Sequence, residues 1–145
     1  MNEVPYPFEQ PRIEYRHEFL SVSSSKQVRK LVLLTLTESE DIYNLALLDL
    51  LPNGETSDIS ESKNKDLKTI LATVIKIVID FFDKKPHSII LFQGSDEKRQ
   101  RLYRIVINQE LEELQQAFNI FGSISDEVSL FEPNKPYDFF LISKK

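Results

Sequence analysis

Ser88-Ile89-Ile90-Leu91-Phe92-Gln93-Gly94-Ser95-Asp96-Glu97-Lys98-Arg99-Gln100-Arg101-Leu102-Tyr103-Arg104 reads as a strand that turns through a glycine directly into a helix. The run Ile89 to Phe92 is short, continuous and apolar, the pattern of a buried strand. Gly94-Ser95 supplies the turn and Ser95 the expected helix cap, while Asp96 and Glu97 suit the positive end of the helix dipole. The spacing of Tyr103, Ile107, Leu111, Leu114, Phe118 and Phe121 predicts a long helix from Asp96 to about Phe118, with Gly122 as its C-terminal stop.

Upstream of that stretch, Pro86 ends an earlier helix expected from Lys65 to about Lys84, with Asn64 as its cap. Leu67, Ile70, Leu71, Val74, Ile77, Val78 and Phe81 fall on one face of it, and Ile75, Ile79 and Phe82 make a second stripe. Two stripes imply that the helix lies on a sheet and is partly covered by the second helix. Further back, Tyr15 to Val22, Gln27 to Thr37 and Ile42 to Leu50 read as strands. Ser23-Ser24-Ser25-Lys26 reads as the turn between the first two. Ile42 to Leu50 is apolar on both faces apart from Asn44 and Asp49, which places it centrally in a sheet. Pro52-Asn53-Gly54 ends it, and Glu55 to Asn64 is polar. Downstream, Glu127 to Phe131 and Tyr137 to Ile142 read as two closing strands. The expected fold is α+β: a mostly antiparallel sheet of about six strands with two long helices packed on it, in the order βββαβαββ. Residues 1–12, with Pro5, Pro7 and Pro11, read as an extended arm, and residues 13–145 as a single domain.

Composition narrows the function classes. With 145 residues, 41% hydrophobic and 28% charged, the chain can bury one core. The absence of cysteine excludes disulfides and Cys-ligated metal sites. The most hydrophobic stretch, Ile70 to Phe82, is broken by Lys76 and Asp80 and falls short of a membrane span. The N-terminus lacks the basic start and apolar centre of a secretory signal, so a cytoplasmic location is expected. A net charge of −5 disfavours nucleic acid as a partner.

Lys98, Arg99, Arg101 and Arg104 are the one basic cluster, and they follow the Gly94-Ser95 turn. Strand, glycine turn and helix N-terminus are the parts of an anion site on free backbone N–H groups, which the arginines would complete. Gly94, Ser95, Arg99, Arg101, Tyr103 and Arg104 are therefore the candidate ligand-binding residues. The plainer reading is that Arg101 and Arg104 solvate an exposed face while Arg99 pairs with a carboxylate at the sheet edge. His17 and His87 stand in no metal or nucleophile motif, and surface or structural roles are the ordinary expectation for both. Asn44, Asp49 and His87 are possible supporting polar residues. Buried Asp49 needs a partner, and Arg99 or Arg101 is the expected one. No metal or other cofactor is expected.

Three blocks carry a resemblance: Tyr43-Asn44-Leu45-Ala46 with Asp49; Leu71-Ala72-Thr73-Val74 with Phe81 to Pro86; and Gly94-Ser95 with Arg99 and Arg101-Leu102-Tyr103-Arg104. In this order they resemble a family of short, single-domain bacterial proteins of unknown function, over most of the chain. The resemblance implies the domain boundaries and draws attention to Asn44, Asp49, Arg99, Arg101 and Tyr103; it implies no reaction.

With no catalytic constellation in view, the leading expectation is a non-enzymatic binding or regulatory module with a protein partner, and a homo-oligomer is possible. One alternative is a metal-independent ribonuclease or toxin-like enzyme built on Arg99, Arg101, Tyr103 and His87, which requires these side chains to converge on one cleft. The other is a binder of a small anionic molecule at Gly94-Ser95.

Overall fold

The computed structural model describes residues 3–4, 13–22, 27–58 and 64–145. Residues 1–2 and 5–12 of the expected arm and the expected turn at residues 23–26 lie outside the described residues. The strands are β1 (Glu14–Val22), β2 (Gln27–Leu36), β3 (Ile42–Leu50), β4 (Thr56–Asp58), β5 (Ile89–Phe92), β6 (Phe118–Ile124), β7 (Glu127–Leu130) and β8 (Phe139–Lys144). The helices are α1 (Asn64–Lys84), α2 (Glu97–Gln109) and α3 (Leu111–Ala117).

Among the described residues all the strands form one sheet, in the order β1-β2-β3-β5-β8-β6-β7. The short β4 pairs with the C-terminal half of β3, beside the place where β5 pairs with its N-terminal half. All the pairings are antiparallel except β3 with β5, which α1 makes possible by carrying the chain across between them. The class is thus α+β with a mostly antiparallel sheet, as the sequence predicts.

One face of the sheet carries the core. A row of directly opposed residues runs Leu34, Leu45, Phe92, Phe140 and Gly122 across β2, β3, β5, β8 and β6. Beside it run Leu36, Tyr43, Ile90, Ile142 and Ile120. Helix α1 lays Ile70, Val74, Val78, Phe81 and Phe82 on these rows, and α2 adds Tyr103 and Ile107. Ring contacts stitch the layers together: Phe81 meets Tyr15 at 5.5 Å and Tyr43 at 5.0 Å, and Phe82 meets Phe118 at 5.9 Å. At Gly122 the ring of Tyr137 lies where a side chain would stand; a Cβ there would run into the ring itself.

The sequence reading departs from the structure in several places. The predicted second helix breaks at Glu110, whose ψ of 11° leaves the helical region, and ends at Ala117. Phe118 to Ile124 is strand β6, so Gly122 is a strand residue rather than a helix stop. Phe118, Ile120 and Gly122 alternate inward, and Phe121 is half-buried on the other face. The polar segment after β3 contains β4, and β8 begins at Phe139 rather than Tyr137. The second stripe of α1 divides: Phe82 is buried, but Ile79 is 41% exposed, so α2 does not cover the stripe along its length.

Buried Asp49 forms its ion pair with Lys30, its direct neighbour on β2, in place of the arginine expected. The two groups are 2.5 Å apart, and Lys30 and Asp49 are 2% and 4% exposed. Removing one member of such a pair takes from the other, buried charge the contact with its direct cross-strand counter-charge. Lys30→Met should therefore lower stability by about 3–5 kcal/mol in urea unfolding, and adding Asp49→Leu should return part of that loss. A double variant as unstable as the sum of its single variants would show that the two charges act independently.

Candidate functional site

The chain leaves β5 and enters α2 by an unusually close approach. A Cβ on Gly94 would collide with the backbone N of Gln100 and would stand 2.7 Å from its Cα, so only glycine fits. The Gly94 N–H donates to Oε1 of Gln100 at 2.7 Å, and Nε2 of Gln100 donates to the C=O of Tyr137 at 2.9 Å. One amide side chain thus joins the β5–α2 turn to the loop between β7 and β8. Nothing in the sequence marks Gln100, since a glutamine between two arginines carries no pattern of its own.

Helix α2 is capped by Asp96, one residue later than expected. Its Oδ1 accepts the Arg99 N–H at 2.8 Å, and its Oδ2 pairs with the Arg99 guanidinium at 2.5 Å. The bond from the Arg99 N–H, with the charge of its guanidinium, holds the Asp96 carboxyl below the usual carboxylate range. The positive end of α2 is therefore already served by a side chain of the chain itself.

Between the turn and the β7–β8 loop lies an open hollow of about 590 Å³. Its lining includes Gly94, Ser95, Gln100, Arg101 and Arg104 on one side and Pro136, Tyr137 and Asp138 on the other, with Asp96 and Glu97 at the rim. The far wall is held rigidly. Asp138 Oδ2 accepts the Ser125 N–H at 2.9 Å, and its own N–H donates to Ser123 C=O at 2.8 Å. This steadies the two-residue β6–β7 turn, in which Ser125 and Asp126 both have positive φ, at 50° and 66°. The Tyr137 hydroxyl accepts the Glu132 N–H at 2.8 Å, which pins the other end of the loop.

Of the candidate residues, Gly94, Ser95, Arg101 and Arg104 come together in this hollow. Arg99 turns aside onto Asp96. Tyr103 is a core residue, 5% exposed and stacked at 4.7 Å on Phe92. His87 is exposed in the turn before β5, at the opposite end of that strand from Gly94, with about 13 Å of strand between. Asn44 is exposed on the sheet face away from the core. The cleft of converging Arg99, Arg101, Tyr103 and His87 that the enzyme alternative requires is not formed. Neither Arg101 nor Arg104 is in an ion pair among the described residues; Arg104 reaches only the Lys135 C=O, at 3.4 Å.

An α+β domain with an open, mixed-charge hollow at one strand–helix junction is the class these features define. The chain matches the model of a family of unknown function (DUF6934) over residues 2–145 and belongs to that family. No curated protein and no solved structure matches it. Among the described residues no helix is long and apolar enough to cross a membrane.

The wall of the hollow depends on Gln100 more than on either arginine. Gln100→Ala should cost about 1–3 kcal/mol in urea unfolding, because it leaves the Gly94 N–H and Tyr137 C=O without their partners. Arg101→Ala should change stability by no more than about 0.5 kcal/mol, as an unpaired surface side chain does. Equal effects from the two variants would contradict this division of roles.

Proposed function

We propose that the domain is a binding module whose hollow at the β5–α2 junction docks a segment of a protein partner. The observation that carries this reading is the pair Arg101 and Arg104, one turn apart on α2, without ion pairs among the described residues and lining a hollow that Asp96, Glu97 and Asp138 also line. Two guanidinium groups can grip a carboxylate by bidentate hydrogen bonds, and three nearby carboxylates favour a basic group beside it. A polypeptide segment offers both signs within a few residues; a phosphate offers one, and would face the carboxylates.

The ligand chemistry of a phosphate loop finds little support. Two of the N–H groups that such a ligand would use are engaged, Gly94 with Gln100 and Arg99 with Asp96. The dispersal of His87, Arg99 and Tyr103 likewise leaves Arg101 and Arg104 without the histidine and tyrosine that the enzyme reading sets beside them.

A photo-crosslinking residue placed at Ser95, on the rim, should capture a discrete protein in the native cell, and Arg101→Glu with Arg104→Glu should abolish the capture. The same residue at Glu112, exposed on α3, should capture nothing comparable. Equal capture at both positions, or capture indifferent to the charge reversals, would remove the proposal.

A further inference from the structure

Strand β1 closes one edge of the sheet and, among the described residues, pairs only with β2. The Ile13 C=O accepts the Leu36 N–H, so the odd-numbered residues of β1 turn their backbone groups inward to β2. By the same alternation Glu14, Arg16, Glu18 and Leu20 turn theirs outward, along an edge that pairs with no strand among the described residues. The side chains of these residues are exposed on the sheet face away from the core, Leu20 by 50%. Across β2, Arg16 and Glu18 stand opposite Leu33 and Leu31, and neither makes an ion pair among the described residues.

We propose that β1 pairs antiparallel with β1 of a second copy of this chain, in the register that sets His17 opposite His17. An antiparallel pair related by a two-fold axis normal to the sheet must place residues of like parity opposite each other. That leaves few registers, and charge together with the length of β1 engaged chooses among them: centred on Tyr15, the pairing opposes Glu14 to Arg16 but joins only residues 14–16 of each copy. Centred on Arg16, the pairing opposes Arg16 to Arg16 and Glu14 to Glu18. Centred on Glu18, it opposes Glu18 to Glu18. Centred on His17, it opposes Arg16 to Glu18 twice over, on the hydrogen-bonded positions, and aligns Tyr15 with Phe19 on the core side. Cross-strand pairs of opposite charge stabilise a ladder, and like charges directly opposite destabilise it. The outcome is one sheet running continuously through two domains. The other edge, β7, is only four residues long and carries no such self-complementary charge pattern.

The absence of cysteine in the chain makes this register directly testable. At a non-hydrogen-bonded position two Cα atoms lie about 4.5 Å apart, within the range that a disulfide spans. His17→Cys should form a disulfide-linked dimer in a glutathione redox buffer, and Val128→Cys, on the β7 edge, should not. Arg16→Glu in the His17→Cys chain should slow the linkage about tenfold by setting glutamate against glutamate, and Arg16→Glu with Glu18→Arg should restore it. Circular dichroism checks that each variant keeps its fold. The proposal is overturned if His17→Cys links no faster than Val128→Cys, if the charge reversal leaves the rate unchanged, or if the exchanged pair fails to restore it.

Discussion

The close approach of Gly94 to the first turn of α2 is the contact on which the hollow at the β5–α2 junction depends. A side chain at position 94 would hold β5 and α2 apart, and the amide of Gln100 would no longer reach from the Gly94 N–H to the Tyr137 carbonyl. Tyr137 is in turn held by the missing side chain of Gly122, over which its ring lies. Two glycines, one in the β5–α2 turn and one in strand β6, thus fix the two walls of one hollow, each by leaving room for another residue. The arginines add charge to an opening whose shape they do not make.

At the same end of the molecule local electrostatics decide which charged groups are engaged within the chain. A helix N-terminus is an inviting place for an anion, but here the Asp96 side chain occupies it and draws Arg99 with it. Arg101 and Arg104, further along the helix, are beyond that reach and line the hollow without an ion pair among the described residues. The buried pair of Lys30 and Asp49 is of the opposite kind: both charges are withdrawn from water and serve the sheet between β2 and β3. Charged residues of one chain thus divide among capping, core and surface duties according to what lies opposite them.

Much of the architecture is legible in the sequence because the signals are local. Ile42 to Leu50 reads as a central strand from its apolar density, and it is flanked on both sides in the sheet. Gly94-Ser95 marks the strand-to-helix junction, and the turn, Arg101 and Arg104 meet in the hollow as residues a few positions apart on one helix should. The errors arise where two periodicities overlap. Leu114, Phe118 and Phe121 fit a helical repeat, while Phe118, Ile120 and Gly122 fit an alternating one; pairing with β8 and packing on Phe82 decide for the strand. Residues joined only through the fold were out of reach. Nothing local ties Gln100 to Tyr137, or Asp49 to Lys30, since each partnership depends on which strands become neighbours.

The central claim is that the hollow is built in advance, with the turn after β5 clamped to α2 before any partner arrives. The rate of amide hydrogen exchange at Gly94, measured by NMR on the isolated chain, tests it most directly. Exchange on the order of a hundredfold slower than for an unstructured glycine is the result expected of an N–H held by Gln100. Exchange at the rate of a free loop would mean that the turn is open in solution and that the hollow is not a standing feature of the domain.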